Sequence, residues 1–283
     1  MNKSENSIFE ISYGDALRFR RIVMDVMSAA CDADDDGYEG IGTLGEKQMH
    51  AAIKRFICPD TQKHEIKLDQ RELTAADTAE QGKKPRARRF VADILDGKNV
   101  YEIQTGGFAP LAPKIKWIME NTDYQVSVIH PIAETKWVNL IDERGEIVRR
   151  YKSPRRESIK DIAGELYFIR DFISNPRFSL VILVMEGEQY KTKSGQGKKG
   201  RARYKKYELI PMNLLRAQVF YGVEDYRCFI PDDLEERFTV KEFSAKSGIR
   251  GRDAYSLVHT LCDLGLLRED GKIGRAAAYT VTR

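Results

Sequence analysis

Asp93, Glu102 and Gln104, with Glu46 upstream, are the residues of this 283-residue chain whose types and spacing best suit chemistry. The run Arg89-Phe-Val-Ala-Asp93-Ile-Leu95 reads as a strand, and Asn99-Val-Tyr-Glu102-Ile-Gln104-Thr105 as its hairpin partner, turned through Asp96-Gly97-Lys98. Strand side chains alternate between faces, so Glu102 and Gln104 point the same way. A register that pairs Leu95 with Lys98, or with Val100, puts Asp93 on that face as well. Two carboxylates converging at a hairpin end repel unless a positive charge lies between them. A hard divalent cation with oxygen ligands is the usual solution.

Helices must carry the rest of such a site. Ser12 and Asp15 form a capping-box pattern, and Ala16, Leu17, Phe19, Ile22, Val23, Val26 and Met27 recur at helical spacing, predicting an opening helix to about Ala30. Asp32-Ala-Asp34-Asp-Asp36-Gly37 begins like an EF-hand loop, but its twelfth position is Thr43, so it reads as an acidic turn. A second helix is expected from Leu44 to Ile57, a strand over His64–Asp69, and a polar excursion over 70–84 before the Asp93 hairpin. Beyond the hairpin follow a helix near Lys114–Asn121, a strand Tyr124–Ile132, and a hairpin of Trp137–Ile141 with Glu146–Tyr151. A helix Ser158–Ile173 and a strand Phe178–Met185 complete the block. Strands interspersed with helices predict an α/β core with a mixed sheet.

From Phe238 the pattern becomes that of a separate small unit. Thr239 with Glu242 caps a helix that Ser247-Gly248 ends, and Ala254, Leu257, Val258, Leu261 and Leu264 define a second helix from Arg252. Leu266–Glu269, a turn over 270–275 and Ala278–Thr282 then read as strand, turn and strand. This order resembles a winged-helix domain. The second helix exposes Arg250, Arg252, Tyr255, Ser256 and His259, and the turn adds Lys272 and Arg275, residue types that reach phosphates and base edges in a DNA groove or serve protein contacts. The division expected is an N-terminal helical segment 1–43, an α/β domain 44–210, a connecting segment 211–231 and the C-terminal unit 232–283.

A helix, a strand, then a hairpin with an acid on one strand and acid-x-polar on the next resembles the PD-(D/E)xK nuclease superfamily, the restriction endonuclease-like fold, over about Leu44–Met185. By position, Asp93 and Glu102 resemble the metal-binding acids of the motif, Glu46 the extra acid many members take from the preceding helix, and Gln104 stands where the motif has Lys. The resemblance implies a Mg2+ (or Mn2+) site formed by Asp93, Glu102 and Glu46, and hydrolysis of phosphodiester bonds by an activated water. In place of the Lys, Gln104 can position water but adds no charge. Each residue also has an ordinary explanation. Thr43-Leu-Gly-Glu46 is itself a capping box, His50 can hydrogen-bond Glu46 or water or be structural, and Thr105-Gly106-Gly107 either admits a close backbone approach or makes a tight turn. Asp93 is the hardest to explain away, since an acid on an otherwise apolar strand face needs a partner.

Charge distribution adds the partner. Lys+Arg number 47 and Asp+Glu 43, a net of only +4, but 83–89, 149–156 and 191–206 are basic clusters. Within the second of these, Lys152, Arg155 and Arg156 either track phosphates or form a solvated turn. Four widely spaced cysteines suggest neither zinc nor disulfides and fit a reducing cytoplasm, and no apolar run approaches the ~20 residues that span a bilayer. The expectation is a cytoplasmic metal-dependent DNA endonuclease, with a homodimer plausible for double-strand cutting. One rival is a DNA-binding regulator whose nuclease-like domain is inert, and another is an interaction module in which both domains contact protein.

Overall fold

The computed structural model describes residues 7–33, 44–68, 90–142, 144–196 and 202–282. It is a mixed α/β structure with strands β1 (Ser7–Glu10), β2 (His64–Leu68), β3 (Phe90–Asp96), β4 (Asn99–Ile103), β5 (Gln125–Ile141), β6 (Ile147–Lys152), β7 (Phe178–Gln196) and β8 (Ala202–Phe220) in one sheet. Their order is β1-β8-β7-β5-β4-β3-β2, with β6 paired to β5. The β4–β5 and β5–β7 pairs are parallel and the others antiparallel.

Helices α1 (Tyr13–Ala33) and α2 (Leu44–Ile57) cover one face. Ser12 Oγ accepts from the Asp15 amide at 3.0 Å to start α1, and Phe19, Val23, Met49 and Ile53 pack with Ile103, Ile129 and Leu183 of the sheet. The opposite face buries Val100, Val128, Leu180 and Ile182 against Ile115 and Ile118 of α3 (Ala112–Asn121). No described helix is long and apolar enough to cross a membrane.

Several elements differ from the sequence reading, each because of packing far along the chain. The strands expected at 124–132 and 137–141 are one strand, β5, because β7 supplies a hydrogen-bonding partner along its length and a register shift between Ala133 and Thr135 absorbs the polar interruption. The helix expected over 158–173 is three short turns, 3-10 at Ile159–Ile162 and Glu165–Phe168 and then α4 (Arg170–Ile173). Gly164 marks the break, where an added Cβ would lie 2.4 Å from Asp253 Oδ1. Residues 211–220, expected to connect domains, are the second half of β8, and Tyr226 and Phe229 beyond it are core residues. The acidic turn at 34–43 and the excursion at 70–84 lie outside the described residues.

The C-terminal unit consists of β9 (Phe238–Thr239), α5 (Val240–Ser247), α6 (Arg252–Asp263), β10 (Leu267–Ile273) and β11 (Ala276–Val281), its strands forming an antiparallel sheet in the order β10-β11-β9. The turn expected over 270–275 is tighter, since β10 runs on to Ile273 after a bulge following Glu269. Phe243, Leu257, Val258 and Leu261 share one buried cluster with Ile162, Leu166 and Phe178, so this unit packs directly on the sheet layer. Arg170 Nε reaches Asp263 at 2.8 Å and Lys160 Nζ donates to the Ser247 carbonyl at 2.7 Å across that contact. The Thr239–Glu242 capping box is formed, and α5 ends at Gly248 with φ 76°. Gly248→Ala is expected to cost about 1–2 kcal/mol, because a Cβ is disfavoured in the left-handed region. Thermal unfolding measures this, and an unchanged midpoint would refute it.

Candidate functional site

The Asp93 hairpin forms in the second of the two anticipated registers, Leu95 opposite Val100 and Asp96 opposite Asn99, with Gly97 turning at φ 61°. Asp93 then takes over a ladder function: its Oδ2 accepts the Ile103 amide at 2.8 Å. Ala92 packs in the α3-side core and Ile94 in the α2-side core, so the usual alternation is broken at Asp93. On β2, His64 pairs with Ile94 and Ile66 with Ala92, which sets Glu65 beside Asp93. Glu65 has φ 53°, the one positive value at a non-glycine residue among the described residues, a strain of the kind that collects at functional sites.

This double kink turns two carboxylates toward α2. His50 Nε2 lies 3.1 Å from Asp93 Oδ2, and ligand-type atoms of His50, Glu65 and Asp93 all lie within 4.8 Å of one another. Lys54, one turn after His50 and nearly buried, is paired with Glu65. Burial by itself would raise the Asp93 carboxyl, but the His50 hydrogen bond and charge, the Ile103 amide and Lys114 together hold it below the usual carboxylate range. Asp93 is therefore an anion ready to hold a cation.

Glu102 is placed differently from expectation. It is 2% exposed, takes the Lys114 ammonium of α3 on Oε2, and stands outside the His50–Glu65–Asp93 group. The broken alternation is the reason, since it sends Asp93 toward α2 while Glu102 meets α3. The two carboxyls still interact. Burial first, with Asp93's charge adding, pushes Glu102 up to about 8 against the opposing effect of Lys114. Its Oε1 is buried without a hydrogen-bond partner, the state of an atom awaiting a water, a proton or an ion.

Gln104 does not join the acids as the hairpin spacing implied. Its Nε2 donates to the Gly107 carbonyl at 2.7 Å, and its backbone carbonyl meets His130 Nδ1 at 2.5 Å, so it closes the 105–107 loop. His130 is kept neutral by burial, against the Gln104 carbonyl and the nearby Glu157 and Glu165, and with Met49, Thr105 and Arg155 it lines a cavity of about 230 Å3 beside the site. Glu46 lies in the first turn of α2, and its side chain falls outside the described residues; His50, one turn on, is the helix residue that reaches Asp93.

His50, Glu65 and Asp93 are the group among the described residues that could hold a metal ion, with the 3.1 Å His50–Asp93 contact a hydrogen bond in its absence. One imidazole with carboxylates suits Mn2+ at least as well as Mg2+. Sequence reasoning missed Glu65, Lys54 and Lys114, whose pairings join elements distant in the chain.

Of the residues expected to meet DNA, Arg250, Arg252, Tyr255, His259, Lys272 and Arg275 are exposed and Ser256 is half-buried, while the opposite side of α6 is core. Lys152, Arg155 and Arg156 are exposed, Arg155 bonded to Asp161 at 3.0 Å.

The chain belongs to a family described as a domain of unknown function, DUF8091, whose model matches residues 47–221. That span, from α2 to the end of β8, contains His50, Glu65, Asp93, Glu102 and Lys114 and stops before the C-terminal unit. An uncharacterized protein of Treponema pallidum (strain Nichols) is 27% identical over 180 residues, 63% of this chain and 62% of the relative. The chain thus spans about 62% of the length of that curated relative. No solved structure matches it.

Proposed function

We propose that this protein is a metal-dependent DNA endonuclease of the PD-(D/E)xK type, with His50, Glu65 and Asp93 holding the ion and a C-terminal winged helix gripping the duplex. The observation that carries this reading is the convergence of those three side chains from α2, β2 and β3, with Glu65 at a positive φ and the Glu102–Lys114 pair beside them. The chain order supports it: helix α2, three antiparallel strands β2, β3 and β4, helix α3, then β5 parallel to β4. For the C-terminal unit, the support is two helices joined through a glycine turn and followed by a hairpin.

A divalent ion in this setting supplies Lewis acidity for the scissile phosphate and lowers the pKa of an attacking water. The protein's own groups do the rest. The Ile103 N–H orients Asp93, and Lys114 brings to the acids the positive charge that Gln104 lacks. The nuclease reading is tested by incubating supercoiled, linear and single-stranded DNA with Mn2+ or Mg2+ and with chelator. Nicking or linearisation that the chelator stops is expected; intact DNA under both metals would sink it. For the winged helix, an Arg250→Ala, Arg252→Ala, Lys272→Ala triple variant is expected to weaken duplex binding and reduce the log-affinity against log-salt slope by roughly 0.9 for each phosphate no longer neutralised. An unchanged slope assigns that face to protein contacts.

One observation favours the inert DNA-binding regulator as a second reading: each acid already has a partner, Asp93 with His50, Glu65 with Lys54 and Glu102 with Lys114. Salt-sensitive DNA binding with no cleavage under either metal is the result it requires.

A further inference from the structure

Beyond the helices, the sheet continues as a β5–β6–β7–β8 extension built on strands of 17, 19 and 19 residues in β5, β7 and β8. We propose that the face of this extension carrying Arg149, Lys191 and Lys193 is a track for the phosphate backbone of duplex nucleic acid. The proposal rests on the nucleic-acid reading above, but not on its metal site.

Register defines the face. Leu140 pairs with Arg149 of β6 on one side and with Lys191 of β7 on the other, so the three stand in one row across the sheet. Lys193, two residues along β7, is on the same face. The neighbouring row, Tyr151, Val138 and Gln189, contains no acid, and the Arg149 guanidinium lies over the Tyr151 ring at 5.3 Å. Lys193 pairs with Tyr204, which is 46% exposed.

The opposite face shows what compensation looks like. There Arg150 is bonded to Glu188 at 2.7 Å, and Asn139 donates to the same carboxylate at 3.0 Å. Duplex nucleic acid supplies the complementary charge, since it carries one phosphate charge per about 1.7 Å of helix axis.

The test is fluorescence anisotropy of a labelled duplex in chelator over a salt series. It compares wild type, an Arg149→Ala, Lys191→Ala, Lys193→Ala variant, and an Arg150→Ala, Lys205→Ala control on the other face, with circular dichroism and thermal midpoints to confirm folding. The triple variant is expected to reduce the magnitude of the salt slope by about 2–3, at roughly 0.9 per phosphate, with the control closer to wild type. A wild-type slope in the triple variant overturns the track, as does an equal loss in the control, which would report net charge alone. Preference of the wild type for vesicles rich in anionic lipid over the duplex also overturns it. Wild-type protein with no salt-dependent affinity for nucleic acid overturns the functional reading itself, a result distinct from the other three.

Discussion

Asp93→Asn is expected to abolish metal-dependent cleavage of DNA while the protein stays folded and bound to the duplex. Loss of an outer-shell partner in a metal site typically costs about 10–100-fold, and removal of a ligand's charge should exceed that. The fold survives because the Asn carbonyl can still accept the Ile103 amide that Asp93 now receives at 2.8 Å. What disappears is the anion facing His50 and Glu65. On the proposed reading, duplex affinity would rest on phosphate contacts elsewhere, so it should hold or improve slightly as one negative charge is removed. A readout independent of activity accompanies this. Mn2+ should raise the thermal midpoint of wild type by binding the native state and should not raise that of the variant. Equal cleavage by a cutting wild type and the variant would remove the reaction from this site.

Glu102→Gln is expected to leave stability nearly unchanged at pH 5 and to stabilise the protein at pH 9, measured in chelator. Burial raises the folded Glu102 above its unfolded value of 4.5, to about 8. The folded chain therefore holds this proton more tightly than the unfolded chain. That contribution is fully present below pH 4.5 and is lost as the pH rises through about 8. Gln has no proton to lose and keeps an acceptor for Lys114. Each unit of elevation corresponds to about 1.4 kcal/mol, and about 1 kcal/mol moves the midpoint of a domain this large by roughly 2–4 °C, so a difference of several degrees should open between the two pH values. A variant destabilised equally at both would mean that Lys114 keeps Glu102 ionised throughout, as a buried ion pair.

What this chain's sequence determined by itself is its local structure. Asp96-Gly97-Lys98 dictates the hairpin because Gly97 accepts a positive φ, Thr239 and Glu242 start α5 by reciprocal capping, and apolar spacing delimits α2 and α6. Asp93 was conspicuous for the same reason, as an acid on an apolar strand. Only the tertiary structure decided where the acids point. Alternation put Asp93 and Glu102 on one face, but a kink shared with Glu65 on β2 turned Asp93 toward His50, and α3 delivered Lys114 to Glu102. The continuity of β5 was likewise set by β7, far along the chain. Turns and caps are satisfied by residues a few positions apart and are written in short runs of sequence. Desolvation of a carboxylate and the cation that answers it depend on which distant helix packs over the sheet, and no local spacing encodes that.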